Sequence, residues 1–144
     1  MPLSKSLHIS KMEEISDLPA QSIEFYTHIS YLFYAIAASD KNISRKEKEE
    51  IIRVVEENWN VKNTSVDSKE IIYSTLKKLI SKKINSARAF DLFIKYQKSN
   101  PAQFSLAVNK AVMDSAYDIA NSYAKRNKSE LYYLSQLHQH LFSH

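Results

Sequence analysis

The sequence contains no glycine in 144 residues, although globular proteins use about 7 % on average. Tight β-hairpin turns favour glycine strongly, because their central residues need a positive φ. Phosphate-binding loops, the dinucleotide fingerprint and the nucleophile elbow also need glycine. The absence of glycine therefore predicts an all-α fold, excludes those sites and favours helices capped by asparagine. Five asparagines stand where such caps are expected: Asn58, Asn60, Asn85, Asn100 and Asn127.

The length of the chain is that of one domain. We predict a single helical domain over residues 17–144, with a tail or short docking helix over residues 1–16. The chain has no cysteine, which excludes a thiolate nucleophile, a disulfide and a cysteine-based zinc site. The first residues lack the apolar segment of a signal peptide, and no apolar stretch approaches the ~20 residues that cross a bilayer. We therefore expect a cytoplasmic protein without a transmembrane segment, as a monomer or weak homodimer.

Residues 31–38 carry no charged side chain, and a helix that is apolar on every side is surrounded by protein. This segment predicts a central helix over residues 19–39, within a bundle of about six to seven helices. The later helices are expected over residues 45–58, 67–82, 87–98 and from Pro101 to about 123, and the last begins at Asn127. We expect Trp59 in the core, with its indole N–H bonded to a backbone carbonyl. The predicted apolar stripe of the last helix is Leu131, Leu134, His138 and Leu141.

An internal similarity relates the two ends of the chain. The stretch YAIAASDKNISRKEKEEII, from Tyr34, aligns with YDIANSYAKRNKSELYYL, from Tyr117, after a gap of one residue before Asn127. In each, an apolar helix ends in Ile-Ala-x-Ser and is followed by a polar turn and a second, capped helix. This pattern predicts a duplicated helical hairpin. In the second copy Tyr123 stands where the first has Asp40.

The turn after the central helix concentrates oxygen-bearing side chains, which are the ligands that hard cations prefer. They are Asp40, Asn42, Ser44 and Glu47, and as a candidate site they would hold calcium or magnesium. A capping box is the preferred interpretation, because Ser44 and Glu47 have the spacing at which hydroxyl and carboxylate satisfy the first amides of the next helix.

The segment LFYAIAASDKNISRKEKEEI, residues 32–51, resembles the TerB-like domain associated with tellurite resistance and with some DnaJ-type membrane co-chaperones. The family pattern is an apolar helix ending in Ala-Ala-Asp-Gly, then Ile-Ser, two spacer residues and Glu. Ser39 replaces an alanine here, and Lys41 with Asn42 replaces the glycine. The resemblance implies a bundle of about seven helices with two hairpins, a cation-binding role for the acidic residues and no known catalysis. The matching residues are Ala37, Ala38, Asp40, Ile43, Ser44 and Glu47.

The middle of the chain is strongly basic. Residues 61–110 contain ten Lys and Arg against three Asp and Glu, a net charge of +7, whereas residues 1–60 have seven against ten, a net charge of −3. Such a surface suits nucleic acid, an anionic membrane or an acidic protein. A solubilising face is preferred to a nucleic-acid site, because only one arginine and no recognition motif accompany the lysines. The main cations are Lys77, Lys78, Lys82, Lys83, Arg88, Lys95 and Lys98.

Other candidate sites have plainer interpretations. His138 and His140 lie two residues apart and cannot share a helix face as metal ligands, so a surface or core role is preferred. Asp114 and Asp118 share a helix face, where a solvated pair is preferred to a cation site.

No nucleophile and base have a spacing that supports catalysis, and no cofactor is expected. The preferred interpretation is a non-enzymatic TerB-like adaptor, stress- or envelope-associated, with a protein partner and a weak divalent-cation site. The alternative is a binding module that uses the basic residues 61–110.

The turn at residues 40–47 is tested by thermal melts of wild type and two variants. If it is a cap, Ser44→Ala costs about 1 kcal/mol with or without divalent metal, and the wild type melts identically in EDTA and in calcium. A bound cation would instead stabilise the folded state by about 2.7 kcal/mol at a hundredfold excess over its Kd. A calcium-dependent rise in Tm that disappears in Asp40→Ala would contradict the cap.

Overall fold

The computed structural model describes residues 22–39, 43, 45–59, 68–121 and 128–142, with side chains except at 128 and 129. Within these residues the fold is an all-α bundle of six helices without strands, as predicted. The helices are α1 (Ile23–Ala37), α2 (Arg45–Asn58), α3 (Ser68–Ser81), α4 (Ser86–Ser99), α5 (Leu106–Asn121) and α6 (Lys128–Phe142), and a 3₁₀ turn (Pro101–Gln103) precedes α5.

Helix α1 is the central element of the bundle, as its sequence predicts. It packs against α3, α4, α5 and α6, while α2 packs against α3 and α5. Leu32, Phe33, Ala35 and Ile36 have no exposed surface. Because four neighbours cover different sides of α1, an apolar residue is needed at almost every position of its second half.

Helix α1 begins later than the predicted residue 19. Ser22 is its N-cap, and the Ser22 Oγ accepts a hydrogen bond from the Phe25 N–H at 3.0 Å. A serine hydroxyl satisfies one of the free amides of the first turn, which accounts for the start of the helix at Ile23. The expected limits of α2, α3 and α4 agree with the structure within one residue at either end.

The predicted helix from Pro101 is wrong in its start, because the chain breaks between two helical segments. The 3₁₀ turn ends at Gln103, and α5 begins at Leu106. The Ser105 Oγ accepts a hydrogen bond from the Val108 N–H at 3.2 Å, which caps α5. The predicted apolar seam of this region is nevertheless buried, including Phe104, Val112 and Ile119.

The end of α3 takes the conformation that usually requires glycine, but a lysine holds it. Among the described residues, Lys83 alone has a positive φ, at 50°. Its N–H bonds to the Ile80 carbonyl at 3.1 Å, and the Ile84 N–H reaches back to the Leu79 carbonyl at 3.2 Å. These are the two hydrogen bonds of a Schellman helix end. The expected asparagine at such a position is therefore wrong for this helix.

The expected caps at Asn85 and Asn100 also differ from the structure. The Asn85 Oδ1 accepts hydrogen bonds from the Ala87 and Arg88 N–H groups, at 2.9 and 3.2 Å, so Asn85 caps the start of α4 rather than the end of α3. Asn100, expected to cap a helix beginning at Pro101, does precede the 3₁₀ turn, but its side chain makes no cap hydrogen bond there. Asparagine thus acts at Asn85 through its side-chain oxygen, as Asx turns and N-caps do.

Two aromatic side chains carry hydrogen bonds that join distant elements. The Tyr34 hydroxyl donates to the Ile84 carbonyl at 2.6 Å and ties the α3–α4 turn to the central helix. Trp59 is buried as predicted, but its indole N–H donates to the Ser115 Oγ at 2.9 Å instead of a backbone carbonyl. The Ser115 hydroxyl in turn donates a hydrogen bond to the Ala111 carbonyl at 2.8 Å. The Ser115 hydroxyl on α5 therefore accepts the hydrogen bond that was expected at a backbone carbonyl.

Helix α6 buries a different stripe from the predicted one. Leu134 and Leu141 are buried, but Leu131 is 50 % exposed and His138 is exposed. Leu137 is fully buried at the position next to His138. The predicted stripe is wrong because leucines and histidines are interspersed in this segment, so that its pattern fits two helix faces.

The remaining expectations on organisation stay predictions. The tail at residues 1–16 and the Asn60, Tyr123 and Asn127 positions lie outside the described residues. Helices α1 and α2 are consecutive in the chain, and α5 packs against both α6 and α1. In the part of the chain that the structure describes, no helix is long and apolar enough to cross a membrane.

The left-handed Lys83 gives a stability prediction. A side chain with a Cβ in this conformation costs roughly 1 kcal/mol relative to glycine. Lys83→Gly is therefore expected to raise the free energy of unfolding by about 1 kcal/mol in urea denaturation. The matched control is Lys82→Gly, which removes the neighbouring lysine from a position without positive φ and should destabilise. Equal effects of the two substitutions would show that the backbone of Lys83 is unstrained.

Candidate functional site

The seven predicted basic residues lie on consecutive elements of the fold. Lys77 and Lys78 belong to the end of α3, Lys82 and Lys83 to the turn, and Arg88, Lys95 and Lys98 to α4. All seven are exposed. On α4, Arg88 and Lys95 are two helical turns apart and share one face with Lys98. We call these seven residues the basic surface.

Some cations elsewhere in the described chain are paired with carboxylates, although Lys46 and Lys110 are not. The Arg53 Nη1 lies 2.6 Å from a Glu57 oxygen, and the Arg53 guanidinium also bonds to Glu50. These hydrogen bonds raise the pKa of Arg53. Lys69 lies 3.0 Å from Glu56, which joins α3 to α2. By contrast, none of the seven residues of the basic surface has a carboxylate within ion-pair distance among described residues.

Part of the basic surface has a structural explanation. Lys78 and Lys98 occupy the last turns of α3 and α4. A cation there interacts favourably with the negative end of the helix dipole, by about 0.3–1 kcal/mol at an exposed site. Lys82 and Lys83 directly follow α3 and lie near the same negative end, since the Lys82 N–H still bonds to the Lys78 carbonyl at 3.0 Å. Arg88 has no such position, because it lies near the positive end of α4. Anion binding is the chemistry that the basic surface can perform.

The candidate cation site lies mostly outside the described residues, at Asp40, Asn42 and Ser44. Its described member, Glu47, is half-buried in the first turn of α2. Within the described ranges, no group of three or more His, Asp or Glu side chains is placed to hold a metal ion. The capping and cation interpretations of this turn both remain predictions.

The carboxylate pair on α5 is exposed, and one member bonds to another helix. The Asp118 Oδ2 accepts a hydrogen bond at 3.1 Å from the Asn58 Nδ2 at the end of α2. Asp114 is exposed one turn earlier. This contact gives Asp118 a role in joining α5 to α2.

A cleft of about 450 Å³ opens where the ends of α4 and α6 meet the 3₁₀ turn and α5. The sequence did not predict it, because its walls come from four elements that are far apart in the chain. Its apolar lining is Pro101, Phe104 and Leu141, and its polar lining is Gln97, Lys98, Asn109, Gln139 and His140.

Asn109 is the most unusual side chain of this cleft, because it is an amide with only 8 % of its surface exposed. The Asn109 Nδ2 donates to the Leu141 carbonyl at 3.0 Å, whereas its buried Oδ1 accepts no hydrogen bond within the described chain. Since the carbonyl requires a donor, the amide cannot be reversed. An acceptor left without a donor costs about 1–3 kcal/mol. The sequence signal was a single amide beside Val108, within the apolar seam of α5.

His140 is a titratable side chain that lines the cleft. Burial, followed by the positive charge of Lys98, lowers the pKa of His140 below its ordinary value. The Gln97 Nε2 donates to the His140 carbonyl at 3.4 Å, which joins α4 to the end of α6. His138 lies on the outside of the same helix, with its ring 5.0 Å from that of Phe142. The two histidines are thus separated, as their spacing predicts.

Comparison of the sequence and structure with protein-family models, curated proteins and solved structures gave no match. The TerB-like resemblance therefore rests on the residues of the 32–51 segment alone.

The lowered pKa of His140 predicts a pH-dependent stability. The unfolded chain binds a proton at about pH 6.5, whereas the folded chain resists it, so stability is full above this pH and falls below it. The Tm of the wild type should drop between about pH 7.5 and pH 5.5, and His140→Gln should reduce that drop. His138→Gln, on the exposed side of the helix, is the control and should keep it. Equal behaviour of the two variants would contradict the role of burial at His140.

Proposed function

We propose that this chain is a non-catalytic helical binding domain that recruits an acidic protein segment through the basic surface. The observation that carries the proposal is the concentration of exposed cations without ion-pair partners on consecutive described elements of the fold. Arg53 and Lys69 are paired with glutamates, while the seven cations on α3, the turn and α4 are exposed without a carboxylate partner among described residues. Concentrated charge of one sign attracts an oppositely charged partner and accelerates its association.

The turn at the middle of the basic surface supports this proposal by its rigidity. The backbone of Lys83 has a conformation that glycine would adopt at lower cost, and its side chain places a cation at the turn. The Tyr34 hydroxyl bonds to the Ile84 carbonyl, beside Lys83. Burial raises the pKa of Tyr34, so the hydroxyl stays protonated as the donor at neutral pH. A fixed turn loses little conformational entropy when its lysines bind.

The chemistry of the cations favours acidic protein over nucleic acid and membrane. Six of the seven are lysines, which bind carboxylates as point charges, whereas phosphate and base recognition favours arginine. Among the described residues of α3 and α4, Tyr73 is the only large apolar side chain that is exposed. The Lys48 Nζ lies over it, 4.9 Å from the centre of the ring. A membrane-binding helix would need an apolar face beside its cations.

The TerB-like resemblance agrees with a binding role without catalysis, and we include a stress- or envelope-associated adaptor in the proposal. The cation site that the resemblance implies is a separate hypothesis, and the calcium melts of wild type and Asp40→Ala test it.

The proposal is tested by fluorescence anisotropy with a labelled poly-glutamate peptide. The variant reverses three charges together, Lys78→Glu, Lys82→Glu and Lys83→Glu. We expect it to bind at least about tenfold more weakly than the wild type, because close charge pairs dominate such complexes. The wild-type affinity should also fall steeply as salt is raised, since salt screens exposed charges.

A control variant changes the net charge equally at exposed positions outside the basic surface: Arg45→Glu, Lys46→Glu and Lys110→Glu. Circular dichroism establishes that both variants fold. If the control loses as much affinity, binding reflects net charge alone and the proposal is wrong. Sub-micromolar binding of duplex DNA or anionic vesicles that the first variant abolishes, without peptide binding, would replace the acidic protein with that partner.

A further inference from the structure

The two most exposed large apolar side chains among the described residues are Ile23 and Leu106, with 61 % and 65 % of their surfaces exposed. They are the first residues of α1 and α5. Each lies two residues along the chain from a ring of one aromatic contact, in which the Phe25 and Phe104 centroids are 5.6 Å apart. Two residues span at most about 7 Å of chain, so Ile23 and Leu106 lie at one end of the bundle. We call Ile23, Phe104 and Leu106 the apolar end surface.

The apolar end surface adjoins a concave region, because Phe104 also lines the cleft of about 450 Å³ between α4, α5 and α6. A cavity of about 150 Å³ holds one benzene-sized group, so this cleft has room for an aliphatic side chain beside Phe104. Single apolar residues on a surface are ordinary, whereas apolar residues grouped beside a cleft are typical of a site that another segment covers.

The chain itself supplies an apolar segment next to this surface. Residues 1–21 precede the described part of the chain, and their sequence includes Ile15 and Leu18. Leu18 is five residues from Ile23, and an extended chain of that length spans up to about 17 Å. A short covalent connection keeps such a segment at a local concentration in the millimolar range. A separate partner would have to compete with this concentration.

The charges near Leu106 also suit this segment. Residues 12–18 contain three carboxylates and no cation. Helix α5 has no acidic residue in its first turn, so no side chain of that turn compensates the positive end of its dipole. Lys110 is exposed one turn after Leu106 on the same helix face, without an ion-pair partner among described residues.

We propose that residues 12–18 of this chain dock on the apolar end surface and cover that end of the bundle. Ile15 and Leu18 pack on the apolar end surface, and the acidic side chains lie beside Lys110 and the start of α5. This docking is independent of the proposed recruitment of an acidic protein, because it uses the start of α1 and of α5 and none of the seven cations of the basic surface.

A double-mutant cycle in the full chain, followed by thermal denaturation, tests the docking. One change is Leu106→Ser, and the other is Ile15→Ser together with Leu18→Ser. Loss of a covered apolar contact lowers the Tm of a domain of this size by about 2–4 °C. We expect Leu106→Ser to lower the Tm by that amount in the wild type. In the Ile15→Ser/Leu18→Ser background it should lower the Tm by less than about 1 °C, because substitutions of residues in contact are not additive.

Leu131→Ser is the matched control, because Leu131 is an exposed leucine in the first turn of α6, outside the apolar end surface. Its effect on the Tm should be the same in both backgrounds to within about 1 °C. The cycle is repeated at two protein concentrations that differ about tenfold, since only an association between chains makes the Tm depend on concentration. We expect the same coupling at both concentrations.

Two results would overturn the proposal. An equal loss of Tm from Leu106→Ser in both backgrounds would show that residues 12–18 do not cover the apolar end surface. A coupling that grows with protein concentration would instead assign this surface to a second copy of the chain. Neither result bears on the binding of poly-glutamate, because the substituted residues lie outside the basic surface.

Discussion

The burial of α1 on all sides is the constraint on which the rest of the structure depends. Four helices must find separate sides of one apolar helix, and each therefore presents its own apolar stripe inwards and its polar residues outwards. The chain achieves this with small residues where helices approach closely, since Ala35 and Ala37 are buried in the second half of α1. The surfaces of α3 and α4 are consequently free to carry charge without affecting the core.

A few buried polar groups fix how these helices align. Hydrophobic burial is non-directional, so apolar stripes alone allow a helix to slide or rotate. Trp59, at the end of α2, bonds to Ser115 on α5, and Tyr34 on α1 bonds to the α3–α4 turn. Each bond is worth about 1 kcal/mol net, but breaking one leaves a buried polar group without a partner. The penalty for misalignment therefore exceeds the gain from the native contact.

The sequence predicts the helices well because hydrophobic periodicity is a local property. The limits of α2, α3 and α4 follow from caps and stripes that lie within the helices themselves. The break before α5 was missed because Pro101 fits the first turn of a helix, and only the bond from Val108 to Ser105 reveals the later start. The left-handed Lys83 was missed because a Schellman end is made by backbone hydrogen bonds, which no side-chain spacing marks when glycine is absent. The cleft at Asn109 was missed because its walls come from segments that are distant in the sequence.

Folding stability alone does not explain the cations of the basic surface. Exposed ion pairs contribute little, about 0–1 kcal/mol each, so the pairs of Arg53 and Lys69 are not needed to hold the bundle together. Neighbouring cations without partners repel one another, and the dipoles of α3 and α4 compensate only in part, near the ends of the two helices. Lys83 adds a backbone cost that glycine would remove. A turn that is less stable than its glycine counterpart, and that a hydrogen bond from the central helix holds in place, fits the proposed binding role of this surface.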